Sequence, residues 1–294
     1  MQIGISTWVW TSPAEDQVLQ RLIPHIAEIG FDVVEIPVET PGQFDVARAK
    51  SLADEHGLAV SVCAVIGAGR DLLLDSEVEA GLEYLRGCID AAQALASRAV
   101  AGPFYSAVGR CWRLTPAERD REIGRLAERL RDLGEYAAQR GVELGIEPLN
   151  RFETSFMNTT EQTLELVERI DHPAVGLALD TFHLGIEEKS LGDAIRRAEG
   201  RLKHVQVAEN DRGTPGTGQL AWDEVANALH EIGYDGRVVI ETFSDRVEAI
   251  ARAAAIWRPL APDSDSLARE GLAFLRELFS EPARASDQGR TVGS

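Results

Sequence analysis

The sequence predicts an α/β protein whose eight parallel strands close into a single-domain (β/α)8, or TIM, barrel. Three observations lead there. Short apolar runs alternate eight times with segments of helical periodicity, and strict alternation demands a parallel sheet with helical crossovers. The length of 294 residues suits one barrel of about 250 residues with extensions. The rival, a doubly wound dinucleotide-binding sheet, carries a glycine-rich turn after its first strand. Here that strand runs into Ser6-Thr7-Trp8, and Gly67-Ala68-Gly69 after the third strand lacks its third glycine because position 72 is Leu.

Residues 2–5 form the first expected strand. Ser12-Pro13-Ala14-Glu15 reads as a helix start: Ser caps, Pro takes the first helical position and Glu closes a capping box. Val18, Leu19, Leu22, Ile23 and Ile26 then recur at helical spacing, with Pro24 as the place for a kink and Gly30 as the stop. Strand two is 33–36, holding Glu35; a helix over 47–56 ends at Gly57, and strand three is 59–65. A helix over 77–95 leads to strand four at 99–102, and Thr115 caps a helix over 116–139. The remaining strands are expected at 142–147, 175–180, 204–208 and 237–241, and the helices at 160–170, 191–199, 222–232 and 267–279. The barrel then spans 1–282, and the small, polar tail 283–294 (ARASDQGRTVGS) is expected to be disordered.

Composition narrows the function classes. An apolar content of 44% and 27% charged residues support a large core in a soluble protein. A net charge of −18 argues against nucleic acid or an anionic membrane as partner and suits a neutral substrate or a cation. Cys63, Cys88 and Cys111 are widely spaced and odd in number, which reads as reduced thiols. The N-terminal MQIGISTWVW lacks a basic leader region and no apolar run approaches the ~20 residues of a membrane span. A cytoplasmic location is the expectation.

Function is written at the strand ends. In GVELGIEPLNRFE the apolar run Val142, Leu144, Ile146 ends in Glu147 and then Pro148. A carboxylate on the last rung of a buried strand costs free energy unless it has a partner. VGLALD ends at Asp180, KHVQV carries Gln206, and RVVIE ends at Glu241. These four come from neighbouring strands five to eight, and in a barrel such strand ends converge on one face. Three carboxylates brought together repel one another and take up protons unless a cation sits among them. An all-oxygen set selects a hard divalent ion, such as Mn²⁺ or Mg²⁺. Just beyond lie His183 on the loop after strand six, Arg212 in the Gly- and Pro-rich run AENDRGTPGTG, and Glu153. Such polar groups suit a hydroxyl-rich substrate. Trp8, Trp10, Phe104 and Tyr105 are candidates for its apolar wall and equally for plain packing at the rim.

On the segments GIEPLNRFETSFMNT, LALDTFH, HVQVAENDRGTPGTG and VVIETF, with a weaker echo in AGPFYSAVGR, the chain resembles the xylose-isomerase-like barrel superfamily of sugar isomerases and epimerases. Within it, the likeness is to the ketose 3-epimerases of the D-tagatose and D-psicose (allulose) group. It covers strands four to eight; earlier strands match only in pattern. The resemblance implies metal ligands at Glu147, Asp180, Gln206 and Glu241, and substrate contacts at Glu153, His183 and Arg212. It also implies one divalent ion (Mn²⁺ foremost, with Mg²⁺ or Co²⁺ as alternatives), a sugar substrate and a homodimer or homotetramer. Ketose 3-epimerases carry His where this chain has Gln206, whereas hydroxypyruvate isomerases carry Gln in an HVQ run. His204 lies on the same side of its strand, roughly 6–7 Å further from the rim, and is not taken as a ligand.

The implied chemistry is abstraction of the C3 proton of a ketose by one of the pair Glu147 and Glu241, giving a cis-enediolate, and return of a proton to the opposite face by the other. The alternative within the superfamily is an aldose–ketose or hydroxypyruvate-type isomerase, or an inosose-processing enzyme. A DNA-repair endonuclease on this barrel needs a His-rich polynuclear zinc site, which the six histidines do not supply. A non-catalytic sugar- or metal-binding barrel is the remaining class.

Overall fold

The structure is a computed structural model that describes residues 1–280; the expected disordered tail lies outside the described residues. In chain order the elements are β1 (Gln2–Ser6), α1 (Asp16–Ile29), β2 (Val33–Pro37), α2 (Val46–Glu55), β3 (Ala59–Cys63), α3 (Val78–Ala94), β4 (Ala99–Gly102), α4 (Pro116–Ala138) and β5 (Glu143–Ile146). There follow α5 (Thr160–Ile170), β6 (Val175–Asp180), α6 (Thr181–Glu187), α7 (Leu191–Arg197), β7 (Leu202–Val207), α8 (Trp222–Glu231), β8 (Arg237–Ile240), α9 (Glu248–Ala253) and α10 (Ser264–Ser280). The eight strands pair in sequence order, all parallel, and β1 pairs with β8 to close the barrel.

Strand order and register fix what faces the centre. Asp180 is opposite Gln206, and Ser6 opposite Glu35. Because side chains alternate along a strand, His204 and Gln206 point the same way, as do Arg237, Val239 and Glu241. The apolar core lies between the outward strand faces and the helices' inner stripes, for example Leu19, Ile23 and Ile26 of α1 against the barrel wall. Thr115 and Thr159 each close a capping box at the start of α4 and α5, with Glu118 and Gln162 as reciprocal partners. No helix among the described residues is long and apolar enough to cross a membrane.

Three local expectations change. The first helix begins at Asp16 rather than through a Ser12 cap, because the Ser12 hydroxyl donates instead to Glu39 Oε1 at 2.7 Å. An extra helix, α6, starts directly at the end of β6, capped by Asp180 itself, whose Oδ1 accepts from the Phe182 N–H at 2.9 Å. Segment 242–266 is not bare loop: α9 forms there and packs Ala251 and Ile256 against Trp8 and Phe243.

Candidate active site

The four strand-end residues do converge. Glu147 follows β5 by one residue, Asp180 ends β6, Gln206 lies in β7 and Glu241 follows β8, and all four are buried. Burial costs a charged oxygen its water, so each must find a partner or a proton. Burial, then Glu241 and Asp180, pushes the Glu147 carboxyl well above the ordinary carboxylate range. Glu241 is raised too: burial is the largest cause, Arg212 opposes it, and Asp180 and Glu35 add to it.

Arg212 lies among these acids rather than merely above them. It sits in left-handed backbone at φ 66°, and its Nη1 pairs closely with Asp180 and lies 3.0 Å from Glu241 Oε2. Its guanidinium carbon is 4.4 Å from the ring centre of Phe182 and 4.9 Å from that of Phe243. The sequence placed Arg212 as a substrate contact; the structure shows it also neutralising two of the expected ligands.

His183 is on α6, not on a loop. Its Nδ1 accepts the Asn150 backbone N–H at 3.0 Å, which leaves the proton of the neutral ring on Nε2. That Nε2–H is 3.6 Å from Glu147 Oε1 and 3.1 Å from Arg212 Nη2. Two donors therefore converge with no acceptor of their own between them. Burial, and next Arg212, lowers the His183 pKa from 6.5 to about 4, so the ring is neutral at physiological pH. Glu153 is half-buried and takes a 2.7 Å hydrogen bond from Asn150 Nδ2. Asn150 thus ties His183 to Glu153, a role the sequence signalled only by its place between Glu147 and Glu153.

Below this layer is a group the sequence reading passed over. Glu35 is fully buried; its Oε1 accepts from Gln206 Nε2 at 2.9 Å, and its Oε2 lies 2.7 Å from His204 Nε2. Gln206 Nε2 also donates to Glu241 Oε1 at 2.8 Å. Its signal was the same as that of Glu147, a carboxylate within an apolar strand, but in mid-strand. The closest potential ligand groupings are Glu147, Asp180 and His183 on one side and Glu35, Cys63 and Glu241 on the other, each within 4.8 Å. The predicted set is thus divided between two neighbouring groupings, Glu147 and Asp180 in one and Glu241 in the other, linked by Arg212, which pairs with Asp180 and Glu241, and by Gln206, which donates to Glu241.

The residues fit a hard cation. Buried polar atoms are normally paired, yet Gln206 Oε1 and Glu147 Oε1 are buried without a hydrogen-bond partner. Two such acceptors beside two further carboxylates are what a divalent ion would satisfy. The adjoining cavity of about 320 Å³ runs from Glu147, Glu153, His183, Arg212 and Glu241 to Trp8, Cys63 and Phe243. Of the four aromatics proposed for its wall, only Trp8 lines it. Trp10 turns away to donate to Asp265 at 2.8 Å, and Phe104 and Tyr105 are core, the Tyr105 hydroxyl donating to the Glu147 carbonyl at 3.0 Å.

A closed parallel barrel with an acidic, oxygen-rich pocket at the carboxyl ends of its strands defines the class, a (β/α)8 enzyme of small polar molecules. A model of the xylose isomerase-like TIM barrel family matches residues 23–278, and the chain belongs to that family. It is similar to a ketose 3-epimerase of Arthrobacter globiformis, 35% identical over 95% of this chain and 97% of that protein. Among solved structures, D-allulose 3-epimerase from Methylomonas sp. in complex with D-allulose superposes with a TM-score of 0.88 at 31% identity, covering 94% of this chain and 96% of that one. D-psicose 3-epimerase with D-tagatose from Clostridium cellulolyticum H10 gives 0.86 at 28%, covering 95% and 99%.

Proposed function

We propose that this enzyme epimerises a free ketose at C3, using a divalent ion held by Glu147, Asp180, Gln206 and Glu241, with Mn²⁺ as the first candidate. The carrying observation is the pair Glu147 and Glu241. Both are buried, both are held above the ordinary carboxylate range, and they come from β5 and β8 on either side of Asp180 and Gln206. Two carboxyls with raised proton affinity, able to take and return a proton, are what inversion at a carbon acid requires. The relatives named as ketose 3-epimerases support the same reading.

A bound divalent ion supplies Lewis-acid polarisation of the ketone, which acidifies the neighbouring C–H. One glutamate takes the C3 proton, leaving an enediolate, and the other returns a proton to the opposite face. The Nε2–H of His183 and the Nη2 of Arg212, 3.1 Å apart, donate together to one sugar oxygen, and Glu153 accepts from a hydroxyl. These contacts hold C3 in register. Trp8 and Phe243 exclude water from the cavity, whose size is at the small end for ligand pockets and suits one monosaccharide.

The test is NMR in D₂O with Mn²⁺-loaded protein and fructose, psicose, tagatose, ribulose, xylulose and hydroxypyruvate. Deuterium at C3 of a new ketose is expected. Deuterium at C2 of a new aldose, or turnover of hydroxypyruvate alone, would replace the epimerase by the isomerase.

A further inference from the structure

We infer that Glu35, beside His204, is a positioning residue that fixes the side-chain amide of Gln206 with its carbonyl oxygen toward the metal site. The inference rests on Gln206 acting as a metal ligand.

An amide is a poor ligand unless something chooses its orientation. Half a turn about its last torsion exchanges the NH₂ and the carbonyl oxygen, which are nearly the same size. Among Glu147, Asp180 and Glu241, an unconstrained amide would turn its donors toward the carboxylates and its oxygen away. That would present N–H to an incoming cation.

The structure opposes that rotation from below. Gln206 has two N–H bonds, and both are used: one to Glu35 Oε1 at 2.9 Å, the other to Glu241 Oε1 at 2.8 Å. Its Oε1 is left buried with no partner. Turning the amide over would set that oxygen against two carboxyl oxygens and forfeit both hydrogen bonds. Glu241 does not serve alone, because its other oxygen lies 3.0 Å from Arg212 and its carboxyl belongs to the proposed ligand set. Glu35 is not in the proposed ligand set. It comes from β2, is fully buried, and its second oxygen lies 2.7 Å from His204 Nε2, two residues before Gln206 on β7. The ladder His204–Glu35–Gln206 therefore starts and ends on one strand. One oxygen of the carboxylate stands 2.7 Å from the His204 ring and the other accepts from the amide.

The role is separable from plain attraction of a cation by a negative charge, and a double-mutant cycle does so. Mn²⁺ dissociation constants are measured calorimetrically for the wild type, E35Q, Q206L and E35Q/Q206L. Loss of a residue that orients a ligand weakens metal binding about 10–100-fold, so E35Q is expected to lose that much, yet less than about threefold when made in the Q206L background. Equal losses in both backgrounds would reduce Glu35 to a distant charge and overturn the inference. If Q206L alone binds Mn²⁺ as tightly as the wild type, the ligand reading of Gln206 falls, whatever E35Q does. A measurement on the unaltered protein stands apart from folding of the variants. The ¹⁵N-labelled side-chain amide of Gln206 should keep both protons protected from exchange, with and without Mg²⁺, and shift when Mg²⁺ binds. Fast exchange of either proton would overturn the lock.

Discussion

Replacing Glu147 by Gln should stabilise the metal-free protein and abolish its turnover. The two effects have one cause. Glu147 is buried, its Oε1 has no hydrogen-bond partner, and Glu241 and Asp180 raise its affinity for a proton. Its folded pKa stands above its unfolded one, so its contribution to stability is complete below the unfolded pKa and is lost as pH rises through the folded pKa. Glutamine, nearly isosteric and never charged, escapes that loss. Its advantage in EDTA should therefore grow with pH, reaching about 1 kcal/mol or more at pH 8, which is about 2 °C in Tm for a chain of this size. In the Mn²⁺-loaded enzyme the same change removes a proton carrier and a proposed ligand. Proton transfer by a placed side chain is worth about 10²–10⁴-fold, or about 3–5 kcal/mol of barrier. The assays are thermal unfolding in EDTA between pH 5 and 8, and deuterium exchange at C3 with metal content determined in parallel. A variant that is less stable than the wild type at pH 8, or that keeps more than a tenth of the exchange rate, would refute the reasoning.

His183 should remain neutral down to about pH 4, which its imidazole resonances in the metal-free protein would report. The difference from 6.5 corresponds to about 3 kcal/mol of stability, complete above 6.5 and lost as pH falls through about 4; a resonance titrating near 6.5 would contradict the burial argument. Gly102→Ala should cost at least about 3 kcal/mol in urea unfolding, because φ is +147° and a Cβ there would lie 1.9 Å from the Ala64 carbonyl oxygen, backbone that cannot step aside. Arg212→Met should tighten metal binding by about tenfold or more, since one cation competes with another for the same carboxylates, while raising KM for the sugar. Weaker metal binding in that variant would mean that Arg212 supports the site rather than competing for it.

Much of the barrel was legible because alternation of strand and helix is a local pattern repeated along the whole chain. The strand-end acids were legible for an energetic reason: Glu147, Asp180 and Glu241 each interrupt an apolar run where a charge is unfavourable. Glu35 broke the same rule within VVEI, and only its mid-strand position hid it; its meaning appears when β7 brings His204 and Gln206 against it across the barrel. The fork of Arg212 was not legible at all. Its placement needs left-handed backbone at its own position and partners about thirty residues away on either side in sequence, Asp180 and Glu241. Trp10, Phe104 and Tyr105 stayed open between wall and packing because an aromatic after a strand packs as well into the core or the rim as into a pocket. Helix α9 was missed because its apolar positions are few, and Ile250 meets the cavity only through the packing of that short helix.

The charge count argues that a divalent ion suits this site. Three buried carboxylates face one guanidinium at the rim of the barrel, while Glu35 is set against His204 below. His183 offers no compensating charge, since its pKa of about 4 keeps it neutral. With the carboxylates ionised, two negative charges remain unopposed in a region without bulk water, and such a deficit persists only if protons or a cation fill it. In the metal-free protein the raised proton affinity of Glu147 and Glu241 answers that deficit. A doubly charged ion would take the place of one of those protons, leaving one glutamate ionised as the base while the other keeps the proton it returns. A base appears in the pocket when the ion arrives and is masked when it leaves, so metal binding and readiness for proton abstraction are one event. On this account proton release should accompany metal loading, and its amount should fall by about one when either glutamate is replaced by glutamine.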